Sequence, residues 1–192
     1  MVVNYFGNGA FRLQSGETTL LIDPENNRLK ADVVLRTLSP AAFSASGTAG
    51  IPQNEFSFPG EYEAKDIEIS GIAVLGESGE KFIKTVYSVT WDEINFAFLG
   101  HLSKIPSAEI LDKLNEPDVL FLPVGGGHFL EPQAAAKLVR QLEPAVVIPA
   151  FFKTPNEFLK SSGLKSEIQE KLVFKKKDLV GEKSRVVVLK AT

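Results

Sequence analysis

The chain has no cysteine, and among its 192 residues only two histidines, His101 and His128. The first absence excludes disulfides, thiolate nucleophiles and cysteine-ligated metals. Together with the lack of a signal-peptide pattern it leads us to expect a cytoplasmic protein. The shortage of histidine restricts metal chemistry as well. No apolar run approaches the ~20 residues of a membrane-spanning helix, so no membrane role is expected. Nor does charge of either sign dominate: a net charge of -3 gives no general attraction to nucleic acid, and no such partner is expected. No linker or low-complexity tract interrupts the chain, which predicts one domain over residues 1–192.

The most informative stretch runs from Phe96 to Thr154. Three short apolar runs, Phe96–Leu99, Val119–Val124 and Val146–Ala150, alternate with two segments of helical spacing, 106–114 and 132–142. Strands apolar at nearly every position are buried on both faces, and helices between them imply parallel crossovers. Ligands in such sheets sit at the carboxyl ends of the strands. Both histidines fall in the loops at those ends, directly after Gly100 and Gly127.

Before this stretch, Val2–Phe6 and Ala10–Gln14 flank Gly7-Asn8-Gly9 as a hairpin, and Thr18–Ile22 and Asp32–Arg36 read as further strands. Residues 37–54 lack any period and read as a long loop. Alternation over 61–74 and 86–91 predicts antiparallel strands. Pro106 suits a first helical turn, and Thr154-Pro155-Asn156-Glu157 reads as a capping box with Thr154 as N-cap. Leu172–Phe174 and Arg185–Leu189 close the chain as strands.

Several strings in this order resemble the metallo-β-lactamase fold, in particular the branch of Zn-dependent hydrolases that includes the L-ascorbate-6-phosphate lactonases. They are Gly7-Asn8-Gly9-Ala10-Phe11, Leu20-Leu21-Ile22-Asp23-Pro24, Ala31–Leu35, Phe58-Pro59-Gly60-Glu61-Tyr62-Glu63, Asp118–Gly126 and Ile148–Thr154. The resemblance implies an α/β fold: a four-layer αββα sandwich, two mixed β-sheets with helices outside. It also implies a dinuclear site using Zn or Mn, and here this chain departs from the family. Where relatives carry Thr-His-x-His-x-Asp-His, the sequence reads Thr37-Leu38-Ser39-Pro40-Ala41-Ala42-Phe43. The remaining family ligands fall on Asn8, His101 and Phe151. A zinc site needs three or four N, S or O donors at ~2.0–2.3 Å, and Leu38, Pro40, Ala42, Phe43 and Phe151 have none to offer. No metal or other cofactor is therefore expected.

His101, His128 and Asp23 remain as candidates for chemistry. The histidines are either ordinary loop residues or partners, with Asp23 or Glu131, in a mononuclear metal site or an acid/base pair. Asn8, Leu38, Gly125, Gly126, Gly127 and Phe151 are candidates for a binding pocket. The glycine run either holds an anion on its amides or simply makes a tight turn. Glu61 and Glu63 share a strand face, as an acid/base pair or as solvated edge residues. Ser39, Ser44 and Ser46 lack a nucleophile elbow. The lysine-rich run 171–177 around Phe174 fits a protected strand edge better than a nucleic-acid surface. Phe43, Phe121, Phe129, Phe151 and Phe152 fall near the presumed mouth, either filling a former metal pocket or lining an apolar site. Two functions follow: a non-catalytic member that binds an unknown small molecule or protein partner, with self-association as one form, or a residual hydrolase acting on a phosphorylated or lactone-type small molecule.

Overall fold

A computed structural model describes residues 1–26, 28–41, 51–114, 116–181 and 184–192. The chain opens with β1 (Val2–Gly7), β2 (Ala10–Ser15) and β3 (Thr18–Ile22), an antiparallel meander. Its first turn uses left-handed backbone at Gly7, Asn8 and Gly9, residues that adopt positive φ at little steric cost. β4 (Val33–Leu35) and β6 (Glu55–Phe56) add in parallel beside β3, and β14 (Leu172–Val173) pairs with the free side of β1. These six strands form the first sheet, in the order β14-β1-β2-β3-β4-β6.

The second sheet has the order β13-β15-β12-β11-β10-β9-β8-β7. β7 (Gly60–Ala64), β8 (Ile67–Ala73), β9 (Phe82–Trp91) and β10 (Ile94–Phe98) are antiparallel; β11 (Val119–Pro123) and β12 (Val146–Ala150) then follow β10 in parallel. β13 (Ser166–Gln169) and β15 (Arg185–Leu189) extend the parallel half. Pro149 lies within β12, and the β12–β15 ladder ends before it, at Val147. A proline has no amide to give to a ladder, so the strands part at their carboxyl ends.

Side chains of one face of each sheet meet in a common core that includes Val3, Leu13, Leu20, Leu35, Ile69, Val89 and Ile148. An aromatic column crosses it: Tyr5 on Phe11 at 4.7 Å, Phe11 edge-on to Phe121 at 4.8 Å, and Phe121 on Phe98 at 4.5 Å. Each such pair adds roughly 0.5–1.5 kcal/mol beyond its buried area. The opposite faces of β11 and β12 supply Leu120, Leu122 and Val147 to a second core. It is covered by α2 (Pro132–Leu142) through Ala135, Leu138 and Val139 and by α3 (Asn156–Ser162) through Phe158; α1 (Ala108–Lys113) precedes Leu114, which joins the same core. Burial on both faces explains why β11 and β12 carry no alternation. Among the described residues no helix is long and apolar enough to cross a membrane.

Three local expectations need correction. The segment after Arg36 is not all loop: β5 (Leu38–Pro40) pairs antiparallel with β9, while residues 42–50 lie outside the described ones. Ser107, not Pro106, stands next to the first residue of α1. Pro155 occupies the N-cap of α3 and no side chain caps it, so the Thr154 capping box is absent. Proline's fixed φ is compatible with either position, and the sequence pattern alone does not separate them.

Candidate functional site

The carboxyl ends of β10, β11 and β12 lead into the loops that carry both histidines and Phe151. Gly100 makes the first of these turns possible. Its φ is +47°, and a Cβ there would lie 2.1 Å from the Thr37 hydroxyl oxygen. Glycine therefore lets Thr37, which is buried, reach under the turn to the His101 ring.

Thr37 is the centre of a hydrogen-bonded chain. Its amide donates to Asp23 Oδ1 at 2.7 Å, and its hydroxyl lies 2.5 Å from Asp23 Oδ2 and 2.7 Å from His101 Nδ1. Asp23 Oδ2 and His101 Nδ1 are 3.8 Å apart, too far for a direct bond. A hydroxyl has one proton to give. With both Asp23 oxygens accepting from Thr37, that proton goes to the carboxylate, and the Thr37 oxygen accepts from His101 Nδ1–H. His101 is then left with an unprotonated Nε2. Burial pushes the Asp23 carboxyl up from its ordinary value, against the lowering effects of His101 and the Thr37 bonds. Burial likewise lowers the His101 imidazole, although the neighbouring Asp23 opposes this. Both shifts favour a neutral ring at physiological pH.

The other side of the ring meets aromatic side chains. Phe151 lies 4.8 Å from His101 and is stacked on Phe129 at 4.3 Å with 20° between planes. Phe151 has φ +54°, unusual for a residue with a side chain. Two glycines leave room for it: a Cβ on Gly9 would fall 2.0 Å from the Phe151 ring, and one on Gly125 would fall 1.8 Å from the Phe151 carbonyl oxygen.

Two clefts border this cluster and share His101, His128 and Phe129. One, of about 530 Å³, includes Leu38, Glu77 and Lys84 in its wall. The other, of about 1270 Å³, includes Tyr5, Asn8, Gly125, Gly126, Gly127, Phe151 and Phe152. The pocket candidates read from sequence thus border one or other cleft. Asn8 donates to Glu25 at 2.6 Å. His128 is exposed. The glycine run does not offer a free anion cradle: Gly126 N–H donates to the Leu130 carbonyl and Gly127 N–H to Glu131 Oε1 at 3.0 Å. This carboxylate already occupies the place an anion would take, and it is not held in reserve for the histidines.

Among the described residues no three His, Cys, Asp or Glu side chains gather so as to hold a metal ion. At the positions that the resemblance assigns to metal ligands stand Asn8, Leu38, Pro40, His101 and Phe151. Leu38 and Pro40 belong to the β5 ladder, and the Phe151 ring is packed against aromatic neighbours. Of these side chains only the Asn8 amide and the His101 imidazole offer donor atoms, fewer than the three or four of a zinc site. Ala42 and Phe43 lie outside the described residues and have no donor atom in their side chains.

The profile of the beta-lactamase superfamily domain matches residues 2–150. The chain belongs to the metallo-β-lactamase superfamily. Within it, the UPF0173 metal-dependent hydrolase of Methanopyrus kandleri is 23% identical over 218 residues, covering 88% of this chain and 92% of that protein. A UPF0173 metal-dependent hydrolase of Thermococcus onnurineus is 32% identical over 90 residues, which is 43% of this chain and only 40% of the relative. A Thermotoga maritima structure described as a Zn-dependent hydrolase of the superfamily superposes with a TM-score of 0.76 at 22% identity, covering 98% of this chain and 99% of its own. The metallo hydrolase Igni18 of Ignicoccus hospitalis gives 0.68 at 19%, covering 96% and 94%. At these identities the structures establish the fold.

Other sequence candidates settle into structural roles. Glu61 and Glu63 are exposed on the edge strand β7, and Glu61 accepts from Ser70 at 2.7 Å. Ser39 is buried on β5, while Ser44 and Ser46 lie outside the described residues. Phe174 is buried in the inter-sheet core, out of reach of a nucleic-acid base, and Lys176 pairs with Asp118 at 2.7 Å. Phe121 belongs to that core too, not to the mouth. The bridging role of Thr37 was missed because the family string marks it only as the residue before a ligand motif. Hydroxyl bridges leave no periodic signal.

Proposed function

We propose that this protein is a ligand-binding member of the metallo-β-lactamase superfamily that does not perform the metal-dependent hydrolysis of its relatives. The observation that carries this reading is Phe151: a phenyl ring packed on His101 and Phe129 stands at the position that the resemblance assigns to a family ligand, and the β5 residues Leu38 and Pro40 have no donor side chains. A metal ion supplies a polarised water at neutral pH, and of these residues only His101 brings a donor to hold one. The fold is kept, and with it the cleft at the strand ends where a small molecule or a protein partner binds. Purified protein is expected to contain no stoichiometric Zn or Mn, and to show no phosphodiesterase or lactonase activity when either is added. Turnover dependent on added metal would overturn the proposal.

A second reading rests on the Asp23–Thr37–His101 chain. A neutral imidazole fixed through Nδ1, with Nε2 unprotonated, has the form of a general base. In that reading the protein is a residual hydrolase of a phosphorylated or lactone-type small molecule, in line with the metal-dependent hydrolase names of its relatives. Activity that survives His101→Ala would remove it.

A further inference from the structure

We infer that the larger cleft is a binding site for a small aromatic anion: a planar ring seated against Phe129 and Phe151, with its carboxylate or phosphate held by Lys153 and Lys190. This rests on the binding reading above and names the chemistry of what fills that site.

The charge of the lining is the first support. The chain has more acidic than basic residues, 24 against 21. Yet among the described residues the wall of the 1270 Å³ cleft contains two lysines, two histidines and no carboxylate. Three carboxylates stand directly behind wall residues and are engaged there: Glu25 accepts from the Asn8 amide, Glu131 from the Gly127 N–H, and Asp23, 3.8 Å from His101 Nδ1, from Thr37. Neither Lys153 nor Lys190 forms an ion pair among the described residues. With those carboxylates already paired and two lysines without an ion pair among the described residues, the lining presents a local complement to an anion.

The second support is the shape of the apolar part. Phe129 and Phe151 are already stacked at 4.3 Å, half-buried, with His101 against them. A third ring extends such a stack by face or edge contact, whereas an aliphatic chain gains only area. The cleft exceeds the roughly 300–1,000 Å³ usual for small-molecule pockets, so a single ring enters without rearrangement. The Gly126 and Gly127 amides are already engaged, which leaves the lysines as the charged contact and the rings as the source of selectivity.

The test is a titration of the full chain, followed by two-dimensional NMR, with benzoate and phenyl phosphate as probes. Cyclohexanecarboxylate, benzyl alcohol and inorganic phosphate serve as comparators. The aromatic anions are expected to shift resonances around Phe129, Phe151 and Lys153. Cyclohexanecarboxylate is expected to bind about 2- to 10-fold more weakly, the range of one aromatic contact. Phe129→Leu, which keeps an apolar side chain at a half-buried loop position, is expected to lose the preference for benzoate. The double variant Lys153→Gln/Lys190→Gln is expected to weaken both aromatic anions while leaving benzyl alcohol unchanged. Equal binding of benzoate and cyclohexanecarboxylate would overturn the inference, as would no shifts with either aromatic anion up to about 10 mM, weaker than any affinity of use. A metal-dependent hydrolase that still binds benzoate would refute the proposed function and spare this inference. A metal-free protein blind to both probes would do the reverse.

Discussion

Replacing Thr37 with valine exchanges one hydroxyl for one methyl of nearly equal volume, so it isolates the bridge between Asp23 and His101. Two hydrogen bonds disappear, 2.5 Å to the carboxylate and 2.7 Å to the imidazole, while the 2.7 Å bond from the Thr37 amide remains. The Asp23 side chain is only 9% exposed and His101 23%, so water replaces the lost partner poorly. A bond to a charged group contributes about 1.5–3 kcal/mol and a neutral one about 0.5–1.5, giving an expected loss of about 2–4 kcal/mol. At roughly 2–4 °C per kcal/mol for a protein of this size, the melting temperature should fall by about 4–16 °C. Urea unfolding of Thr37→Val beside Thr37→Ser measures this. The serine variant keeps the hydroxyl and is expected to lose only the share of a buried methyl, about 1 kcal/mol. Nitrogen-15 NMR of His101 should report the Nδ1–H tautomer in the parent and the serine variant. A valine variant within about 0.5 kcal/mol of the parent, the scatter of ordinary surface substitutions, would refute the bridge. So would a serine variant as weak as valine.

Gly9→Ala drives a Cβ into the Phe151 ring at a backbone φ of +78° and is expected to destabilise by about 2–4 kcal/mol. In a Phe151→Ala background the steric part should vanish, and a double-mutant cycle in urea checks the coupling. Glu77 is pushed up by burial, yet the donors Lys84, Ser103 and Lys104 outweigh this and lower its carboxyl overall. A lowered acid contributes stability above its unfolded value of 4.5 that is lost as pH falls through the folded value. Glu77→Gln should therefore cost about 1–3 kcal/mol at pH 7 and little once the carboxyl is protonated in both states, as melting curves across pH would show. His101 is a lowered base, so its contribution is present above 6.5 and lost as pH falls. Asp23, a raised acid, works in the opposite sense: its contribution is present below 3.8 and lost as pH rises through the folded value. Just below pH 6.5 the parent should lose stability faster than His101→Gln, and parallel curves would count against a buried, neutral ring.

The strands β10, β11 and β12 were legible because burial on both faces leaves continuous apolar runs, and the first hairpin because Gly7-Asn8-Gly9 admits the turn that its backbone makes. β6 and β13 have two and four residues, too few for any period to show, and tertiary pairing alone decides them, whereas the strand read at Leu172–Phe174 is found as β14 (Leu172–Val173). β5 was hidden for a different reason: Leu38-Ser39-Pro40 has no strand pattern of its own and exists as a ladder to β9. At the site, that Leu38, Pro40 and Phe151 have no donor side chains follows from residue type alone, whereas the absence of a metal there stays an expectation for elemental analysis to test. The Thr37 bridge, the Phe129–Phe151 stack and the part played by Glu131 in closing the glycine loop join residues up to 64 positions apart, and no single-sequence signal links them.

The central claim is that the strand-end cluster of imidazole and phenyl rings does not hold a catalytic metal. Elemental analysis of protein purified without chelator, and again after incubation with Zn or Mn followed by desalting, tests it most directly. The expected result is well below one metal per chain in both samples. About one or more ions per chain retained through desalting, and lost on substitution of His101, would contradict it.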